Sequence, residues 1–587
     1  MVNKISLGRR VELRSVLARA CIFLLASLPY ILPWHYYPDG DFLTQASSAI
    51  CVLLFIAVVS FGSLKIGLSE LGLLAFSVVL TAIGGDGARV VFAVSLSGVL
   101  LIALLRSLSD EERESCFNAL LWGVSLGGAF TLLASLVQLF GFESMVGGVV
   151  FDDASPDLNV VGNIGQRNLM SQYLLAGFLA TGSLMLRGGR WRGWSLVVLA
   201  VPVGYVLALA GSRTALLSIG WIAVACCLVM LLLRGSDLSR YAKGLLIGCG
   251  VLLIMQPMAG FLTPGTETSM DRIAAGSSVR LAEWMKAWAM IKLHFPGGVG
   301  WSEYAANSFL QQLQMGDPAS ADNNWTHAHN LILNLTVELG LSALVPIIAL
   351  GCLAWELWRA ERNLRWFFVV LALGMTLIHS MLEYPLWYAW GFYFFIALAG
   401  FGVNGTLFTL QPSRAMRGFV AVLALIGVGY ILLSIQGYFR LVEASGPTED
   451  QQLNLERLES IISQTSNPAL EYAANLTMIP YLRPGGGMLR LCKLMEVARV
   501  MPAADKLDLI ALDAFLMNDE KFAFEVLRSR YRAFPGTDDG VLISNLGRLG
   551  EEKAKELRER IEQLKHEPFD LSKSYQLEAC PEDKLPQ

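Results

Sequence analysis

The chain alternates long apolar runs with short polar interruptions. A helix needs about 20 apolar residues to cross a bilayer core. Thirteen runs approach or exceed that length: 17–34, 45–63, 66–82, 88–106, 117–141, 168–187, 194–211, 214–234, 241–262, 329–356, 364–380, 386–409 and 417–436. The basic residues fall at alternate ends of these runs. Lys4, Arg9, Arg10 and Arg14 precede the first, and Arg187, Arg190 and Arg192 follow the sixth. Arg234, Arg240 and Lys243 follow the eighth, Arg359, Arg362 and Arg365 the tenth, and Arg414 and Arg417 the twelfth. Lys and Arg gather on the cytoplasmic side, so one orientation satisfies every loop. The opposite side receives 35–44, 83–87, 142–167, 211–213, 263–328 and 381–385, and an odd number of crossings places the C-terminal tail there as well.

Two of the outer loops, 142–167 and 263–328, are long, and loops of such length are usually functional. Within the second, the stretch from Val279 to Ile291 carries apolar residues at helical spacing, predicting a helix along the membrane surface. The tail reads as helices over 449–465, 468–478, 488–499, 504–517, 519–533 and 549–565. Antiparallel pairs of the tetratricopeptide kind suit that pattern, although no clear 34-residue period is visible. The expected organisation is an all-α polytopic membrane domain at 1–436, with outer loops 142–167 and 263–328, and a soluble helical domain at 437–587.

Composition sharpens this picture. The chain is 54% hydrophobic and only 16% charged, against about 25% charged in soluble domains. A net charge of −4 gives no reason to expect nucleic acid as a partner. The nine cysteines include no CxxC pair. Only Cys492 and Cys580 lie in the tail, where an outward location permits a disulfide. No small-residue cleavage site follows the first apolar run, so it is expected to remain as an anchor.

The outer face holds cations that topology does not require: Arg167, Arg213, Arg272, Arg280, His294, His327 and His329. Ionisable groups at such places mark functional sites, and cations there point to an anionic ligand delivered by the membrane, such as a lipid pyrophosphate. His327-Ala-His329-Asn330 puts an imidazole at the mouth of a span, able to accept a hydroxyl proton or stabilise phosphate oxygens. Gly162-Asn163-Ile164-Gly165-Gln166-Arg167-Asn168 offers amides for sugar hydroxyls or phosphate, with a helix cap as the alternative role of Asn163. Arg213, in the turn Gly211-Ser212-Arg213-Thr214, and Arg280, one turn before Trp284, are candidate phosphate ligands, since a guanidinium matches phosphate bidentately. A lipid headgroup or a salt bridge accounts for Arg213 as well. Tyr304 follows the glycine-rich loop His294-Phe-Pro-Gly-Gly-Val-Gly300 and is placed to stack or hydrogen-bond. In the turn from His379 to Tyr388, Glu383 is a partner for an arginine, His379 is either a ligand or a buried polar contact, and Tyr388 is either a ligand or part of the interfacial aromatic belt. Asp152 and Asp153 have no His or Cys at ligand spacing, so a mechanism without metal or other cofactor is expected.

In their order, these segments resemble the bacterial O-antigen ligase superfamily, and within it the protein O-oligosaccharyltransferases that glycosylate pilins. The ligase pattern of His-Asn, nine residues and Gly is met by His329, Asn330 and Gly340, and departs at Ala343. Gln166-Arg167-Asn168 and Glu383-Tyr-Pro-Leu-Trp387 look more like the protein-glycosylating branch. The resemblance implies a GT-C-like glycosyltransferase of the bacterial inner membrane, with its site and tail facing the periplasm. It would move an oligosaccharide en bloc from undecaprenyl pyrophosphate to a hydroxyl of an acceptor protein such as a pilin. Arg213 and Arg280 would stabilise the leaving pyrophosphate, and His329 would orient or deprotonate the acceptor hydroxyl. Asn163, Gln166, Arg167, Asn168, Tyr304, His327, Asn330, His379, Glu383 and Tyr388 would bind donor or acceptor. The alternatives are transfer to lipid A-core, polymerisation of lipid-linked repeat units, and transport. Transport is disfavoured because transporters place ionisable groups near the bilayer midplane.

Overall fold

The computed structural model describes residues 2–59, 63–83, 88–152, 160–187, 193–263, 268–269, 278–316, 324–578 and 580. Arg272 and Asp153 lie outside them. Among the described residues, eight helical segments are long and apolar enough to cross a membrane, Leu331–Arg359 counted as one, and five shorter apolar helices, Phe42–Val58, Leu68–Ile83, Trp194–Leu209, Leu364–Ser380 and Ala389–Gly402, stand at the remaining expected spans. The protein is an all-α polytopic membrane protein. The chain divides into two compact units, one of 1–78, 91–276 and 345–435, the other of 79–90, 277–344 and 436–587.

The first unit is built from close helix crossings that small residues permit. A Cβ at Gly123 of helix Asp110–Leu139 would stand 2.5 Å from the Phe23 carbonyl oxygen, and one at Gly128 would stand 2.8 Å from the Cα of Gly177. A capping box of Ser109 and Glu112, with acidic residues throughout the first turn, starts the same helix. At one end of the unit, buried Arg106 pairs with Glu70 at 2.7 Å and with Glu356 at 3.0 Å. Arg113 donates to the carbonyls of Gly400 and Phe401, at the C-terminal end of helix Ala389–Gly402. The two strands of the unit, Leu64–Ile66 and Phe408–Leu410, pair antiparallel there. The apolar run 386–409 is therefore a shorter helix followed by a strand.

In the second unit, the amphipathic stretch of the long loop forms helix Ser278–His294. The expected single span over 329–356 is interrupted: helix Leu331–Leu339 stops at Gly340, and a 3-10 turn of Gly340–Ala343 precedes helix Leu344–Arg359. Gly340 has φ +56° and ψ −129°, a conformation open essentially to glycine. The glycine loop packs against this break. Val299 and Gly300 donate their N–H groups to the carbonyls of Val337 and Glu338, and Leu341 donates to that of Pro296. All six tail helices form within a few residues of their expected bounds, and the unit adds a short helix, Gly540–Asn545. Their core includes Leu494, Leu507, Ile510, Phe515 and Val526, and it also takes in Phe309 and Leu313 from helix Tyr304–Met315 of the long loop. Phe309 stacks on Phe534 at 6.1 Å, and Arg532 donates to the Leu313 carbonyl. A disulfide joins Cys492 to Cys580, with Cα atoms 5.1 Å apart.

Candidate active site

Each unit gathers one cluster of the expected residues. In the first, helix Arg167–Arg187 opens with Arg167 and Asn168, and Gln166 caps it by accepting the Leu169 N–H at 2.6 Å. The Asn168 amide joins three turns that are remote in sequence. Its Nδ2 donates to Glu383 Oε1 at 2.9 Å, and its Oδ1 accepts from Ser212 Oγ at 2.8 Å and from Thr214 Oγ1 at 3.3 Å. Ser212 is also the N-cap of helix Arg213–Leu232, accepting the Ala215 N–H, which places Arg213 at that positive helix end. Arg213, Arg167, Asn168 and Glu383 thus belong to one hydrogen-bonded layer or stand next in sequence to it. Tyr388 stacks between Tyr384 and Trp390, at 5.6 and 5.3 Å. Burial holds the Tyr388 hydroxyl well above its usual range, so it stays a phenol.

Three expected ligands in or near this unit's site serve other ends. Asn163 is fully buried and hydrogen-bonds only backbone: Nδ2 donates to the carbonyls of Ile31 and Val149 at 2.7 and 2.8 Å, and Oδ1 accepts the Phe151 N–H at 2.9 Å. Its amide pins the loop before helix Arg167–Arg187 rather than capping that helix. Gln138, not anticipated, fastens the same loop through Phe151, Val161 and Gly162. The side-chain oxygen of Gln166 is engaged in its cap. His379 is wholly buried, and its Nδ1 contacts the Gln172 amide oxygen while Gln172 Nε2 donates to Thr376. That is the buried polar contact of the two readings. His35 in the first outer loop, also not anticipated, meets the Asn163 carbonyl at 2.7 Å. As a histidine in an expected outer loop, it carried a signal.

The second unit gathers Arg280, His327, His329 and Asn330. Asn330 is the N-cap of helix Leu331–Leu339, accepting the Leu333 N–H at 3.1 Å, so its side chain has a structural task. His329 takes the left-handed conformation, φ +49°. Its Nδ1 lies 3.1 Å from the His327 carbonyl, and its ring lies 4.1 Å from that of Trp325. His327 Nδ1 meets Thr326 Oγ1 at 2.9 Å. Burial pushes the His329 imidazole down to about 4; the bond to the His327 carbonyl opposes the shift, and the Arg280 guanidinium adds to it. Burial also pushes His327 down to about 3. Both rings are neutral at pH 7, and the Arg280 charge acts on His329. Tyr304, expected as a ligand, is buried and donates to Glu283 Oε1 at 2.7 Å. Glu283 pairs with buried Lys286 at 2.7 Å, and both bond Ser308. This polar core locks helix Ser278–His294 to helix Tyr304–Met315, and long-range pairing of that kind leaves no motif in the sequence. Among the described residues no group of three or more His, Cys, Asp or Glu is placed to hold a metal.

No curated protein matches the sequence. Residues 195–348 match the family model described as O-antigen ligase. Residues 367–539 match the model described as virulence factor membrane-bound polymerase, C-terminal. The first match contains Arg213, Arg280, His327, His329 and Asn330; the second contains His379, Glu383 and Tyr388. On these two matches, the chain belongs to the O-antigen ligase superfamily of membrane glycosyltransferases.

Proposed function

We propose that this protein transfers a preassembled oligosaccharide from undecaprenyl pyrophosphate to a Ser or Thr hydroxyl of a periplasmic acceptor protein of the pilin class. The observation that carries the reading is His329, held in a left-handed turn just before helix Leu331–Leu339 with its Nδ1 3.1 Å from the His327 carbonyl, where burial keeps the ring neutral. Attack of the acceptor oxygen on the anomeric carbon releases a hydroxyl proton and breaks the bond to the pyrophosphate, which gains charge. The charge gained is the quantity that a transition-state-selective site stabilises. Arg280 takes that role, without a metal, and His329 orients the hydroxyl and receives its proton. An imidazole held at about 4 is a weak base. An arriving pyrophosphate reverses the local charge and raises the ring's proton affinity, so donor binding strengthens the base. Asn168, Arg167 and Glu383 position glycan or acceptor.

Two further features support the orientation and the acceptor. The Cys492–Cys580 disulfide suits an oxidising compartment such as the periplasm. The tail, whose core includes part of the long loop, suits recruitment of a protein. The second reading is chain extension or transfer to lipid A-core, favoured by the polymerase description of the match over 367–539. Co-expression with a periplasmic pilin in a glycan-producing host that lacks its own transferases separates them. The reading requires a glycan mass shift on the pilin that disappears with His329→Ala. Glycan on lipid A-core alone, or longer lipid-linked chains alone, would overturn it in favour of the corresponding alternative.

A further inference from the structure

A histidine in the left-handed region is uncommon and persists where its surroundings over-determine it. The surroundings of His329, φ +49°, are specific. Ala328, immediately before it, is completely buried, and both of its backbone polar groups are held by side chains. Its N–H donates to Asn334 Oδ1 at 2.9 Å, and its carbonyl accepts from Trp284 Nε1 at 3.1 Å. Asn334 lies on helix Leu331–Leu339 and is buried; Trp284 lies on helix Ser278–His294. Both helices are tied to their neighbours: Glu283 and Lys286 bond Tyr304 and Ser308, and the carbonyls of Val337 and Glu338 accept from the glycine loop. The two side chains therefore fix the peptide units on both sides of the Ala328 Cα.

The consequence reaches the His329 ring. With the backbone turned left-handed, His329 Nδ1 comes to 3.1 Å from the His327 carbonyl. A carbonyl only accepts, so Nδ1 carries the hydrogen of the neutral ring and Nε2 is its basic nitrogen. We infer that Trp284 and Asn334 are positioning residues that, through the Ala328 backbone, set the tautomer and aim of His329. The inference rests on the reading of His329 as the acceptor-side group only where activity is concerned; the tautomer is a property of the free protein.

Full-length protein labelled with 15N-histidine in lipid bilayers tests it by nitrogen NMR, with His329→Gln identifying the His329 signals. The expected result is an Nδ1–H ring in the parent protein and a substantial Nε2–H population in Trp284→Phe and in Asn334→Leu. In the transfer assay, Trp284→Phe lowers kcat tenfold or more and leaves KM for the lipid-linked donor within about twofold. Should Asn334→Leu fail to fold, Trp284→Phe, which removes one N–H and keeps the aromatic bulk, decides alone. An unchanged Nδ1–H signal in the folded variants overturns the inference, as does a raised KM with kcat intact. A fully active His329→Gln overturns the functional reading instead, and the NMR comparison still decides the positioning.

Discussion

Asn168 ties three turns together through one amide, and replacing it with aspartate tests whether that amide organises the site. The parent Nδ2 donates to Glu383 Oε1 at 2.9 Å. In Asn168→Asp that donor becomes an oxygen, and two carboxyl groups face each other at hydrogen-bond distance. Near a protein surface two unit charges at 4 Å cost roughly 4 kcal/mol, so the pair escapes by binding a proton. Taking a proton from solution at pH 7 onto a group with an ordinary value near 4 costs about 4 kcal/mol, and at pH 5 only about 1.4 kcal/mol. The destabilisation is therefore about 4 kcal/mol at pH 7 and falls by more than half at pH 5. Asn168→Leu loses the bond to Glu383 and two hydroxyl bonds, about 3–5 kcal/mol with little pH dependence. Thermal unfolding of detergent-purified protein at both pH values, with Glu383→Gln added as the second arm of a double-mutant cycle, measures the coupling. Glu383→Gln supplies a donor again, so it should restore most of the Asn168→Asp loss at pH 7. An Asn168→Asp protein equally destabilised at both pH values, or unrescued by Glu383→Gln, would refute the reasoning.

Three other outcomes follow from the second unit. His327 and His329 are held at about 3 and about 4, below the 6.5 of an unfolded histidine, so the unfolded chain binds protons first as pH falls. Stability is full above about 6.5 and declines toward 4, by about 2 kcal/mol for each residue at pH 5; hydrogen exchange of 324–339, corrected for intrinsic rates, should show lost protection at pH 5, and unchanged protection contradicts it. Gly340→Ala drives a Cβ into the Pro296 carbonyl in a conformation alanine rarely adopts; a loss of about 3 kcal/mol or more is expected, read as a lower Tm with transfer lost, and a parental Tm sinks the account of the break. Leu313 is fully buried in the tail core, so Leu313→Ala should cost about 2–5 kcal/mol; limited proteolysis should then cut the tail faster, and an unaltered tail would show that the loop helix is dispensable to that core.

The spans and the tail helices were legible because each is a local property: an unbroken apolar run, or apolar residues at helical spacing. The break at Gly340 was hidden for the same reason, since the apolar run continues through it and only the close approach of Pro296–Gly298 demands a glycine there. Polar residues at the outer turns were legible as a class, but the sequence does not separate those that bind loop backbone from those left to face a ligand. Asn163 and Asn168 stand five positions apart in one motif. The first spends its amide on three backbone groups, whereas the second spends its own on side chains of two distant turns, 44 and 215 residues away. The partner of Tyr304 was hidden likewise, because Glu283 lies 21 residues earlier. What differs between the two asparagines is therefore the kind of partner, loop backbone for Asn163 and side chains of other outer turns for Asn168. Asn163 and Gln166 bind backbone and Tyr304 a buried carboxylate, whereas Asn168 bonds the side chains of Ser212, Thr214 and Glu383. The partner of such a residue is chosen by the fold, tens or hundreds of positions away, and so leaves no mark on the local sequence.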